Sequence, residues 1–169
     1  MRLKTLLLGG SLLFSAMAWA QNGNDKVLKG KIEMKTLMQD ESTAWFYKGV
    51  NNYQPNDRML NYLKANRSNF NLVVVMGTWD ETSRKVVPEL YKVMITAGSP
   101  DEQVLLFGAD EKMQTDSPTD YKVKKVPTVI VFREGKEVGR IVGEPKESIE
   151  GDLSRIILNT SKKENGGTD

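Results

Sequence analysis

The sequence predicts one α/β domain of ordinary size: a mixed sheet flanked by helices on both faces, with an N-terminal extension in front. Three observations carry this. Residues 72–76, 104–107 and 127–132 are continuous apolar runs, the first of them β-branched, the pattern of strands buried on both faces. A helical stripe separates the first two runs, so those strands should be parallel. The third run leads through Glu134-Gly135, a tight hairpin signal, into an antiparallel neighbour at 136–142.

The elements follow in order. Residues 21–30 are polar and read as a mobile lead-in. Ile32 and Met34 alternate with Lys31, Glu33 and Lys35, which predicts a strand over 31–37. Trp45, Phe46, Tyr47 and Tyr53 follow in a loop-like stretch. Such a patch is either an interface or a satellite cluster packed under a loop. Asn56 or Asp57 caps a short helix carrying Met59, Leu60 and Leu63. Gly77-Thr78-Trp79 is a loop after the first buried strand. Val86, Val87, Leu90, Val93, Met94 and Ala97 recur on one face of a helix over 81–97, stopped by Gly98-Ser99-Pro100. Residues 108–120 form a loop or one irregular turn. Ile149, Leu153, Ile156 and Ile157 give an amphipathic closing helix. The tail 161–169 reads as disordered.

Composition bounds the chemistry. The 169 residues include no Cys and no His. That excludes disulfides, thiol nucleophiles, thiolate or imidazole metal sites, and Ser-His-Asp or Cys-His catalysis. Basic and acidic residues number 24 and 22 without a block of like charge, so no nucleic-acid footprint is expected.

Residues 1–20 carry the pattern of a secretory signal peptide. Arg2 and Lys4 start it, an apolar run follows to Phe14, and Ala18-Trp19-Ala20 is a small-x-small cleavage site before Gln21. The run is too short to span a bilayer, so no stable membrane anchor is expected after cleavage. The expected division is 1–20 leader, 21–52 extension, 53–160 domain and 161–169 tail, with a periplasmic or secreted destination. Loss of Arg2 and Lys4 leaves the mature chain with equal numbers of acids and bases.

The element order and two landmarks resemble the thioredoxin superfamily. One is the stretch Trp79-Asp80-Glu81-Thr82-Ser83-Arg84 after a buried strand, with Pro88 further along the helix; it is similar to the Trp-Cys-x-x-Cys motif. The other is Val126-Pro127-Thr128 before the hairpin, with Gly143 closing it; it is similar to the family's cis-Pro loop. Gly77-Thr78-Trp79-Asp80-Glu81-Thr82-Ser83 further resembles the Gly-Thr-Trp-Cys-x-Asp-Ser stretch of secreted thioredoxin-like proteins of Bacteroidetes type. Tyr53-Gln54-Pro55 and 144–148 resemble that subgroup too.

The departures bear on function. By the resemblance, Asp80 stands at the attacking Cys, Ser83 at the resolving Cys, and Val74 at the buried acid that assists proton transfer. Thiol-disulfide exchange needs a thiolate, and this chain has none. The resemblance therefore implies the fold and excludes the family's redox chemistry.

Asp80 at a helix N-terminus can act purely as an N-cap, or it can present a charge to a partner. Thr82 and Ser83 lack an activating base, so neither is a nucleophile. Asp80 with Glu81 lacks the converging oxygens of a cation site, so no metal and no cofactor are expected. Trp79 can border a groove and also cover the helix end. The resemblance implies that the backbone at Val126 pairs with an extended peptide, which needs no thiol. Pro88 reads as structural only and the methionines as core filler.

Three functions follow as expectations. The first is an exported, redox-inactive peptide- or protein-binding or chaperone-like module. The second is a thiol-disulfide oxidoreductase by ancestry only. The third is a structural subunit that associates through the Trp45–Tyr53 patch.

Overall fold

A computed structural model describes residues 26–165. The leader and the start of the lead-in lie outside the described residues. Five strands form one sheet: β1 (Gly30–Ile32), β2 (Asn71–Met76), β3 (Val104–Gly108), β4 (Thr128–Arg133) and β5 (Lys136–Val142), in the spatial order β1-β3-β2-β4-β5. β2 and β3 are parallel, while β1–β3, β2–β4 and β4–β5 are antiparallel. The helices are α1 (Met34–Gln39), α2 (Ala44–Asn52), α3 (Asp57–Asn66), α4 (Glu81–Ala97) and α5 (Ile149–Asn165).

Alternation along β2 divides the interior. Leu72, Val74 and Met76 enter the larger core with Phe46, Leu63, Val86, Leu90, Leu153 and other residues of the helices. Val73 and Val75 point the other way, to Phe107, Ala109, Val126 and Ile130. No helical residue belongs to this second cluster among the described residues; Met113, Tyr121 and Val123 of the connection after β3 close it instead. The sheet is thus flanked by helices, but helices on both faces were expected and one face carries an irregular segment. The reason lies in its backbone. Met113, Asp116 and Lys122 have positive φ, which no helix accommodates, and Pro118 falls between them.

The N-terminal region differs most from expectation. The strand over 31–37 is cut to Gly30–Ile32, and Met34–Gln39 is helical. Residues 44–52, expected as loop, form α2. Phe46 and Val50, one turn apart, turn into the core, where Phe46 packs edge-on to Tyr91 of α4. The aromatic patch is therefore not a surface: Phe46 is buried, Trp45 and Tyr53 are half-buried, and only Tyr47 is exposed, at 55%. Ile32, Leu37 and Phe46 all join the main core, so the extension is integral to the domain.

Local chemistry sets the other boundaries. Asn56 caps α3, its Oδ1 accepting from the N–H groups of Arg58 and Met59. Gly98 ends α4 at φ 71°, and Ser99 N–H donates to Met94 O, which closes the last turn. The closing helix runs to Asn165, whereas a disordered tail was expected from 161. Ser161 explains part of the extension: its hydroxyl donates to Ile157 O and accepts from Arg133 Nη1.

Candidate functional site

The register places two loops side by side. Val75 pairs with Thr128, so the chain leaving β2 and the chain entering β4 meet at one end of the sheet. The first carries Gly77, Thr78, Trp79 and Asp80; the second carries Val126 and Pro127. Trp79 and Val126 pack into the same cluster.

Asp80 is the N-cap of α4, with extended backbone (φ −92°, ψ 123°). Its Oδ2 accepts from both Ser83 N and Ser83 Oγ at 2.7 Å. Ser83 is wholly buried, and its Oγ also accepts from Gly77 N–H at 3.2 Å. The serine hydroxyl is thus committed on both sides. Glu81 is exposed on the first turn and Thr82 is half-buried. A carboxylate at this helix end meets unpaired N–H groups and the positive end of the dipole, which favours it there.

Trp79 covers the turn. Its Nε1 donates to Ala109 O at 2.9 Å, and its ring lies so close to Gly77 that a Cβ there would come within 2.7 Å. Gly77 is needed for that approach. Arg84 Nε donates to Thr78 O at 2.6 Å, and its guanidinium lies 5.6 Å from the centre of the Trp45 ring.

The Val126–Pro127 peptide bond is cis. Pro127 O accepts from Gly143 N–H at 2.7 Å, and Thr128 Oγ1 donates to Lys125 O at 2.6 Å. Val126 and Thr128 are both buried. Neither the N–H nor the C=O of Val126 has a hydrogen-bond partner among the described residues.

Thr78 went unrecognised in the sequence. Its buried hydroxyl accepts from Leu28 N–H at 3.1 Å and donates to Lys26 O at 2.8 Å, which ties the lead-in to the site loop. The partners lie 50 and 52 residues away, so no local pattern could reveal them. Lys29 continues the strap, its ammonium 3.2 Å from Asp110 and 3.3 Å from Asp116. N–H groups from the loop, foremost that of Gln114, and the Lys29 ammonium hold the Asp110 carboxyl below the usual range. Asp110 is therefore committed to Lys29 and to its own loop. No group of three acidic side chains among the described residues could hold a metal ion.

A mixed sheet, a capped helix after its central strand and a cis-Pro loop beside that cap define a thioredoxin-fold protein. Residues 57–155 match the family model described as Thioredoxin. The chain belongs to the thioredoxin family. It is 30% identical over 84 residues to the thioredoxin of Staphylococcus saprophyticus, which covers 49% of this chain and 78% of that one. It is 31% identical over 100 residues to thioredoxin H2-2 of Oryza sativa subsp. japonica, covering 57% and 72%. A Pseudomonas aeruginosa protein of unknown function, solved by crystallography, shares the fold with a TM-score of 0.50 at 14% identity, over 79% of this chain and 84% of that one.

Proposed function

We propose that this chain is an exported, redox-inactive member of the thioredoxin family that holds an extended peptide or protein segment at the Val126–Pro127 loop, beside Trp79 and Asp80. One observation carries the reading: the peptide group of Val126 is left without a partner where β4 begins. Such an edge can add a strand, and backbone pairing needs no thiol. The inactivity follows from composition, because no Cys exists anywhere in the chain. Asp80 and Ser83, the positions that resemble the family's two cysteines, spend their side chains on each other. Asp80 there stabilises the helix end, and its second carboxylate oxygen is the part left to face a partner. Export rests on the pattern of residues 1–20, and N-terminal sequencing of the exported protein should begin at Gln21.

Photo-crosslinking tests the binding. A crosslinkable residue at Glu81 leaves the cap intact, and one at Lys136, on the hairpin at the opposite end of β4, is the control. Capture of an extended model peptide at 81 above the level at 136 supports the reading. Equal capture at both positions overturns it.

A further inference from the structure

We propose that residues 122–126 form the recognition edge for an extended polypeptide segment bearing acidic side chains. This names the partner class of the site above and rests on the peptide-holding reading. Two features coincide in this stretch. Lys122, Lys124 and Lys125 are all exposed, and none of their ammonium groups has an ion-pair or hydrogen-bond partner among the described residues. The peptide groups from Val123 to Val126 make no backbone–backbone hydrogen bonds there either. Unpaired N–H donors and unpaired cations thus share one short edge beside Pro127.

Lys125 is set at the site rather than merely near it. Its side chain lies across Gly143, where a Cβ would come within 3.0 Å of Nζ and 3.2 Å of Cε. Gly143 in turn donates its N–H to Pro127 O. The ammonium therefore lies beside Gly143, the residue that bonds the Pro127 carbonyl. The acid next to Gly143 does not neutralise it, because Glu144 pairs with Lys85 at 3.2 Å. Asp120, at the start of the stretch, spends its Oδ1 on Lys122 N–H. That hydrogen bond does not discharge Asp120, so residues 120–125 hold three lysines against one carboxylate and stay net positive. An extended segment paired with Val126 would carry its side chains past Lys124 and Lys125, and acidic residues there complete the ion pairs.

The test uses the mature protein and fluorescent peptides of equal length, one rich in Asp and Glu, one in Ser and Gln, one in Lys. Fluorescence anisotropy at low and high salt reads the binding. The acidic peptide should bind roughly five- to tenfold tighter than the neutral one, as a few exposed ion pairs provide, with the margin lost at high salt. Lys124→Glu with Lys125→Glu should abolish the margin and transfer it to the basic peptide. Circular dichroism of that variant should match the parent, since both side chains are exposed. Equal binding of acidic and neutral peptides overturns the inference and leaves the peptide-holding reading standing. Binding of no peptide overturns both. Binding to vesicles of anionic phospholipid with none to the acidic peptide also overturns it, in favour of a membrane surface.

Discussion

The carboxylate of Asp80 accepts both the backbone N–H and the hydroxyl of Ser83, each at 2.7 Å. One side chain thus caps α4 and satisfies a wholly buried hydroxyl. Asp80→Ala removes the cap, worth about 1 kcal/mol, and leaves the Ser83 hydroxyl with one acceptor fewer. A total loss of roughly 1–3 kcal/mol is expected in urea titration. Asp80→Asn keeps an acceptor and should lose less. An Ala variant as stable as the parent would refute the capping role.

The same pair occupies the two positions that resemble the family's cysteines. The parent should show no insulin reduction, because it has no thiol. Asp80→Cys combined with Ser83→Cys places two thiols across the first turn of α4, with the first at the helix N-terminus that favours a thiolate. Reductase activity should appear in this variant and in neither single one. Its absence would show that this site differs from a thiol-active one in more than the thiols, with Val74 the first suspect.

Much of the fold was legible because it is written locally. The 81–97 stripe, the buried runs and the Glu134-Gly135 turn each carry their own signal, and α4 and β5 occupy the residues expected. Residues 26–52 were not, because their structure depends on distant partners. Trp45, Phe46 and Tyr47 lack a visible period, and α2 is fixed by packing of Phe46 on Tyr91 and of Gly49 on Pro88. At the site, Asp80 as a cap could be read from its place before a helix. The hydrogen bonds of Thr78 to Lys26 and Leu28 could not, nor could the grouping of three lysines with an unpaired peptide edge, since sequence shows charge but not pairing.

Gly49 and Pro88 make the close contact between α2 and α4. A Cβ on Gly49 would come within 2.7 Å of the Pro88 Cβ. Ala is ordinarily favoured over Gly inside a helix by about 1 kcal/mol. Here the clash should outweigh that gain, because overpacking a filled interior costs typically about 1–3 kcal/mol. Gly49→Ala is expected to lower the melting temperature. A rise would mean that α2 can shift away from Pro88 freely.

Glu150 joins the start of α3 to α5. It is 1% exposed; its Oε2 accepts from the Tyr53 hydroxyl at 2.8 Å and its Oε1 from Asn56 N–H at 2.9 Å. Burial, and then the Glu150 carboxylate, hold the Tyr53 phenol well above its ordinary range. Tyr53→Phe should cost about 1 kcal/mol, whereas Glu150→Ala strands two donors and should cost roughly 2–5 kcal/mol. A double-mutant cycle should give a positive coupling between them. Additive losses would mean that the bond contributes nothing measurable.

Glu89 makes the protein's stability respond to pH. It lies half-buried on α4 with no hydrogen-bond partner among the described residues. Burial raises its pKa first, the carboxylates of Glu150 and Glu144 raise it further, and Lys85 partly opposes them. The folded state therefore holds this proton to higher pH than the unfolded chain does. Between the ordinary glutamate value and the raised one, the native state binds more protons, so this group lowers stability as pH rises through that window. The deficit is complete above the raised value and absent below the ordinary one. Glu89→Gln removes the charge and should raise the melting temperature at pH 7. The gain should shrink as pH falls and vanish below the ordinary glutamate range, where the native side chain is itself neutral. Melting curves of both proteins across that range check this, and a Gln variant less stable than the parent at pH 7 would contradict it.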